Sequence, residues 1–428
     1  MNNVAFKQEI RFIREQTLAI IDLDKIEELA TDRQLLLKEI STLVKKVSIT
    51  NKKYLSPKDF SYIAELITDE IMGLGPLREL MEDDSVSDIL VNGPNNIYVE
   101  KGGKLQKSNL EFLDNNQLTD IAKRMVAKMG RRVDEAQPLV DSRLPDGSRL
   151  NVVISPIALD GTSISIRKFN KSSKTLEELA IGGSMMLEMA KFLSLITYSR
   201  CNIIVSGGTG SGKTTLLNAL SQHISNDERI VTLEDAAELK LMQPHLVRLE
   251  TRMAGVEQSG QVSMRDLVIN ALRMRPDRII VGECRGGEAF EMLQAMNTGH
   301  DGSMTTLHAN SPQDALSRLE NLVMMSGFDL PISAIRYNVA SAVDVIVQIA
   351  RLNDGSRRVI EIAEIGKIND NGITSLYPIY KFKPRPYRDE KDKIIGDYEF
   401  YGLREDSVIT NNAIMFNIKD YLDEIVGA

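Results

Sequence analysis

The chain has 428 residues, room for two or three domains that each bury a full core. Apolar residues make up 43 % and charged residues 26 %, the balance of an ordinary globular protein, and a net charge of −8 argues against broad, sequence-independent nucleic-acid binding. Two cysteines, Cys201 and Cys284, lie far apart, which disfavours a disulfide framework or a structural zinc knuckle and fits a reducing cytoplasm. The first residues show no signal-peptide pattern, and no stretch reaches the ~18 uninterrupted apolar residues of a membrane span. The most apolar window, 185–205, is broken by Glu188, Lys191 and Arg200.

In chain order, Phe6, Ile10, Ile13, Thr17 and Ile20 fall at helical spacing, as do Leu36, Ile40, Leu43 and Val47, so residues 1–55 read as a helical appendage. Docking on a partner and packing on its own neighbour are both open to it. A further helix opens at Ser56-Pro57, a capping serine with proline at the first helical position, and stops near Gly73 to Gly75. From about 86 to 169 the pattern changes to short strands with tight turns: strands at Asp88, Ile97, Arg149 and Ser163, a hairpin turn at Lys101-Gly-Gly-Lys, and a helix over about 116–129. The expected domains are therefore a helical appendage (1–55), an α+β domain (56–170) and a polar linker (171–182). Strands alternate with helices from about 183 to 365, within an expected α/β domain of 183–376, which implies a mostly parallel sheet covered on both faces. A hairpin around Asn353-Asp-Gly is expected to end that sheet, and 377–428 forms a C-terminal extension of unassigned role.

The chemistry concentrates in this α/β region. An apolar strand at Ile203 runs into Gly207-x-x-x-x-Gly212-Lys213-Thr214 and then into an apolar helix, the setting of a phosphate-binding loop. Its glycines let successive backbone N–H groups of Gly208, Thr209, Gly210, Ser211, Gly212, Lys213, Thr214 and Thr215 converge on one anion. The helix start adds its positive end, Lys213 reaches the outer phosphates, and Thr214 offers a hydroxyl to Mg²⁺. A second apolar strand, Arg278 to Val281, ends at Gly282 and Glu283, and a carboxylate there can orient the water that attacks a terminal phosphate. Between them a strand ends in Glu234, Asp235 and Glu238, acids expected to hold Mg²⁺ through water. His308 is a candidate phosphate contact, and His300 with Asp301-Gly302 is expected on a turn near Glu283. With no third ligand nearby in sequence, a zinc pair is not expected of these histidines. Arg131, Arg132, Arg143, Arg149 and Arg167 punctuate the α+β domain, and one or two of them suit an arginine-finger role.

Together these segments resemble the secretion ATPases of the type II and type IV superfamily, most closely the CpaF/TadA subfamily that powers Flp-type (tight-adherence) pili. The resemblance runs from Gly73-Leu-Gly-Pro-Leu and Ser87-Asp-Ile-Leu-Val-Asn-Gly-Pro through Gly130-Arg-Arg-Val-Asp-Glu and the segment from Val140 to Asn151. It continues through the P-loop, the acid box at Thr232, Val281-Gly-Glu-Cys-Arg and the histidine box. It implies an α/β fold: a RecA-like P-loop ATPase domain preceded by an α+β N-terminal domain and a small helical N-terminal appendage. It also implies ATP and Mg²⁺ as cofactors, a homo-hexamer, and work on inner-membrane platform proteins from the cytoplasmic face. By position, Glu283 resembles the family's catalytic glutamate, Glu238 its acid-box residue near Mg²⁺, Arg149 and Arg167 its phosphate-touching arginines, and His308 its histidine-box residue. The zinc-binding four-cysteine insertion of type II extension ATPases is missing, which disfavours that branch.

The function expected is an ATP hydrolase driving pilus assembly or secretion. A nucleic-acid motor of conjugation type is disfavoured by the acidic balance and the absence of Trp. An ATP-locked scaffold has no use for the water-orienting Glu283.

Overall fold

The computed structural model describes residues 4–22, 26, 28–29, 32–169, 174–252, 260–390 and 392–427. The chain divides into two compact units, Met1–Lys171 and Ser172–Ala428.

In the first unit, helices Val4–Ala19, Arg33–Thr50 and Pro57–Ile71 pack through Ile10, Ile13, Leu36, Ile40, Val44, Val47, Ile63 and Ile67. These are largely the positions that helical spacing selects, with Val44 buried more deeply than Leu43. The third helix starts as its sequence dictates: Ser56 Oγ accepts from the Asp59 amide at 3.2 Å, and Pro57 takes the first helical position. A six-stranded antiparallel sheet follows, in the order β3 (Lys104–Lys107), β2 (Ile97–Lys101), β1 (Val86–Asn92), β6 (Ser163–Arg167), β5 (Arg149–Val153), β4 (Leu139–Arg143). Its inner face, with Ile89, Val91, Ile97, Leu150, Val152, Ile164 and Ile166, buries against Leu118, Ile121 and Met125 of helix Asn115–Ala127.

One carboxylate ties the helices to this sheet domain. Glu70 is fully buried and accepts from Arg14 Nε and Nη2 at 2.7 Å each, Gln117 Nε2 at 2.9 Å and Arg124 Nη2 at 2.7 Å. Arg11 reaches Asp114 at 2.9 Å and Lys7 reaches Glu111 at 2.7 Å alongside it. The residues read as a helical appendage therefore share one electrostatic anchor with the strand domain.

The second unit is built on a nine-stranded sheet ordered β15 (Ile394–Phe400), β14 (Thr374–Arg388), β13 (Arg357–Ile368), then β12-β7-β11-β10-β8-β9. β7 (Ile203–Gly207), β8 (Ile230–Glu234), β9 (Leu246–Glu250), β10 (Arg278–Val281), β11 (Met304–Leu307) and β12 (Val345–Arg351) pair in parallel. Side chains alternate between two cores: Ile203 and Val205 face one, Ile204 the other. Helices Leu187–Tyr198 and Lys213–Ser221 cover the first face, and helices Met264–Ala271, Glu288–Asn297, Pro312–Met324 and Ile332–Ala342 the second. Beneath the amino ends of these strands, Arg278 is wholly buried and grips Glu228 with Nε at 2.7 Å and Nη2 at 2.8 Å.

The expected hairpin forms from β12 and β13 (Arg357–Ile368), but it does not end the sheet. β14 (Thr374–Arg388) and β15 (Ile394–Phe400) extend it antiparallel, and a boundary at 376/377 falls inside β14. Helices Val408–Met415 and Lys419–Val426 then return to place Ile409, Ala413 and Leu422 in the same core as the helix after β7. Of the expected linker, residues 171–173 lie outside the described residues. Leu176–Ile181 is helical, started by a capping box between Thr175 and Glu178.

Burial alone raises the Glu70 carboxyl, but Arg14, Gln117 and Arg124 more than reverse this and hold it below the ordinary carboxylate value. A lowered value contributes stability above the unfolded value of about 4.3 and loses it as pH falls through the folded value. Glu70→Ala should therefore cost about 3–5 kcal/mol at pH 7, since it strands buried Arg14. Urea unfolding checks this, and the gap to wild type should shrink in acid.

Candidate active site

The loop after β7 is shaped by what cannot fit there. A Cβ on Gly207 would lie 2.3 Å from Ile349 O and 2.6 Å from Ser211 Oγ, so any side chain is excluded. Gly210 and Gly212 take φ of +68° and +99°, left-handed values that favour glycine, and Gly212 caps helix Lys213–Ser221. Ser211 is buried and donates from Oγ to Gly208 O at 2.9 Å, closing the loop, while Thr209 is exposed at its tip. Lys213 Nζ folds back to donate to Gly207 O at 2.9 Å and Gly208 O at 3.1 Å. Thr214 and Thr215 lie half-buried in the first helical turn.

Parallel pairing brings three other strand ends to this edge. Leu307 of β11 pairs with Ser206, Val281 of β10 with Thr305, and Leu233 of β8 with Val281. The residues that follow are His308, Gly282-Glu283 and Glu234-Asp235. Glu283 accepts from Arg285 Nε at 3.0 Å and Nη2 at 2.6 Å, and Arg285 Nη1 lies 3.5 Å from Asp235. Burial lowers the Lys213 ammonium below its ordinary value; Glu283 opposes the shift and Arg285 adds to it, which places both charges within reach of the lysine. His308 is exposed beside this edge. His300 is elsewhere: it precedes β11, at the amino end of the strands, with Nδ1 3.3 Å from Ala295 O. The expected turn near Glu283 is thus corrected. Gly302 there serves the fold instead, because a Cβ on it would lie 2.6 Å from Arg278 Nη1.

Glu234 is buried, and its Oε1 accepts from the amides of Glu238 at 2.7 Å and Leu239 at 2.8 Å, so it fixes the shape of the acid loop. Its Oε2 is buried without a hydrogen-bond partner, and burial raises its carboxyl despite those two amides. Gly282 leaves room for it, since a Cβ there would lie 3.1 Å from Glu234 Cγ. Among the described residues no group of three or more His, Cys, Asp or Glu is gathered to cage a metal. One orphaned carboxylate oxygen, the Asp235 and Glu238 carboxylates and the Thr214 hydroxyl suit a Mg²⁺ that keeps water and phosphate ligands.

In the first unit, Arg143, Arg149 and Arg167 stand side by side: Arg143 pairs with Arg149 across β4 and β5, and Arg149 with Arg167 across β5 and β6. Arg167 Nε reaches Asp88 at 3.1 Å. Arg132 pairs instead with Asp134 at 2.5 Å.

Residue spacing alone did not flag three supports of the site. Arg285 bridges Glu283 and Asp235. Thr306 Oγ1 donates to Gly282 O at 2.7 Å, fixing the turn before Glu283. Gln348, buried in β12, accepts from Ser206 Oγ and donates to Ala309 O at 3.1 Å, joining β7 to the segment after His308. A glutamine inside the apolar run Val345–Ile349 was the available signal.

A family model described as type II/IV secretion system protein matches residues 70–378, and the chain belongs to that family. Among its relatives is a putative conjugal transfer protein of Mycobacterium tuberculosis, 42 % identical over 304 residues that cover 70 % of this chain and 86 % of that protein. The type IV secretion system protein VirB11 of Bartonella henselae is 32 % identical over 334 residues, covering 70 % of this chain and 93 % of VirB11. A solved structure of the pilus retraction motor PilT with bound ADP covers 81 % of this chain and 87 % of its own, with TM-score 0.50 and 19 % identity, a likeness of fold. The architecture is the α/β secretion-ATPase fold, with helices at the N-terminus.

Glu234→Gln keeps an oxygen for both amides and removes a charge whose raised pKa lets its contribution lapse as pH rises, so the acid loop should hold or gain stability at neutral pH. Glu234→Ala should expose the Glu238 and Leu239 amides. Hydrogen exchange at those two amides checks both.

Proposed function

We propose that this chain hydrolyses ATP and turns the cycle into mechanical work on a pilus or secretion base. The observation that carries the reading is the meeting of Lys213, Glu283 and the acid loop at one edge of a parallel sheet. In this reading the amides of residues 208–215 cradle the phosphates, and Lys213 exchanges its loop carbonyls for phosphate oxygens. Glu283 orients the attacking water and accepts its proton, with Arg285 holding the carboxylate in place. Arg149 and Arg167 take the phosphate-touching role that the family resemblance gives them, and His308 that of a contact to the terminal phosphate. Thr214, Asp235, Glu238 and Glu234 are the residues that would hold a Mg²⁺, the acids through its water, and such an ion would supply charge neutralisation at the phosphate oxygens.

Resemblance to the CpaF/TadA type further supports a homo-hexamer acting on inner-membrane platform proteins from the cytoplasmic face. Among the described residues no helix is long and apolar enough to cross a membrane, so in this reading the membrane is reached through partners. Relatives named for conjugal transfer favour a second reading, transport of DNA, which would show as DNA-stimulated turnover that weakens steeply with salt.

Phosphate release with ATP and Mg²⁺ tests the main reading. Glu283→Gln should retain ATP and lower turnover by roughly 10²- to 10⁴-fold, the usual worth of a general base. Lys213→Ala should lose nucleotide affinity. Wild-type turnover in Glu283→Gln would remove the role given to Glu283.

A further inference from the structure

The exposed side of helix Arg33–Thr50 and the segment after it carry a charge opposite to that of the chain as a whole. Residues 34–58 contain six lysines, one acid (Glu39) and no arginine, in a protein of net charge −8. Leu35, Lys38, Thr42, Lys45, Lys46 and Ile49 recur at helical spacing and form one exposed face, opposite the buried Leu36, Ile40, Val44 and Val47. Among the described residues Lys38, Lys45, Lys46, Lys52 and Lys58 make no ion pair. Lys53 alone is engaged, with Nζ 3.6 Å from Glu9 and 6.0 Å from the centre of the Phe12 ring.

The fold does not ask for these side chains. The helix closes in a Schellman turn: the Lys53 amide donates to Ser48 O at 2.9 Å and the Lys52 amide to Ile49 O at 3.1 Å. Lys52 takes φ of +54° there, a left-handed value usually given to glycine, and Lys53 stands where an apolar residue commonly packs back on the helix. The helix dipole favours lysine past the C-terminus but fades within a turn, so it does not account for Lys38, Lys45 and Lys46. Nor does packing account for Ile49 and Tyr54, which are 70 % and 96 % exposed in the midst of the lysines.

Lysine is a compact charge on a flexible stem, and the stem can lie along an apolar boundary while the ammonium reaches beyond it. Lysines around a few aliphatic and tyrosine side chains fit a surface of diffuse negative charge over an apolar layer, which is an anionic bilayer. Leu35, Ile49 and Tyr54 are too few to bury the helix, so attachment is at the level of the headgroups. Nucleic acid fits less well, because the segment offers no arginine fork and Tyr54 is its lone aromatic for stacking a base.

We propose that the exposed face of helix Arg33–Thr50, with Lys52, Tyr54 and Lys58 beyond it, docks on an anionic lipid surface. This contact is the chain's own, additional to any made through partner proteins. It lies outside the residues 70–378 that the family model matches and is independent of the nucleotide site.

The test is sedimentation of the full chain with vesicles of phosphatidylcholine and phosphatidylglycerol, beside vesicles of phosphatidylcholine alone. Wild type should bind the anionic vesicles only, and added salt should release it. Lys45→Gln/Lys46→Gln should weaken binding by roughly fivefold for each lysine removed, and Ile49→Ser/Tyr54→Ser should weaken it as well. Lys104→Gln/Lys123→Gln, an equal charge change at exposed positions elsewhere in the same unit, should bind as wild type does. ATP turnover without vesicles should match in all of them. No binding of wild type to anionic vesicles, equal binding to both kinds of vesicle, or unchanged binding in Lys45→Gln/Lys46→Gln overturns the proposal. An equal loss in Lys104→Gln/Lys123→Gln also overturns it, since net charge alone would then set the attraction. So does a face that Lys45→Gln/Lys46→Gln shows to bind a single-stranded oligonucleotide in preference to the vesicles.

Discussion

The parallel pairing of β7 between β11 and β12 is the constraint from which the rest of the candidate site follows. Parallel strands all end at the same edge, so choosing the neighbours of the P-loop strand also chooses which loops stand beside the phosphate position. β11 brings His308, β10 behind it brings Glu283, and β8 brings the acid loop. On the other flank β12 carries Gln348. The buried core fixes that order: alternating side chains commit each central strand to helices on both faces, and a slip of one residue would turn Ile204 into the wrong core.

The charges at this edge form a chain rather than isolated pairs. Arg285 touches Glu283 and approaches Asp235, and both Glu283 and Arg285 act on Lys213. Glu234 does different work from its neighbours, since one of its oxygens is occupied by two backbone amides. A cluster that reads in sequence as three equivalent acids is thus one acid that shapes a loop and two that the loop presents. Glu70 plays the comparable part in the first unit, where one buried carboxylate collects Arg14 from one helix and Gln117 and Arg124 from another.

Legibility in the sequence followed burial. The strands Ile203–Gly207 and Arg278–Val281 are buried on both faces and run into glycine at Gly207 and Gly282, so they and their loops are plain in the residue order. Lys104–Lys107 and Leu246–Glu250 are edge strands with exposed or half-exposed side chains, whose only signal is a partner elsewhere. β14 contains Pro378, Pro384 and Pro386, which read as breakers; Pro378 and Pro384 sit where the pairing register shifts, at positions that need no ladder N–H. His300 was misplaced because nearness in sequence to His308 hides a strand between them: β11 separates the two by its whole length.

The most direct measurement of the central claim is an experimental structure with a non-hydrolysable ATP analogue and Mg²⁺. The account predicts the β-phosphate on the amides of the loop from Gly208 to Thr215, Lys213 Nζ moved from its two loop carbonyls to phosphate oxygens, and Glu283 facing the terminal phosphate. An analogue bound elsewhere, or a bound phosphate chain that Lys213 and Glu283 both ignore, would contradict it.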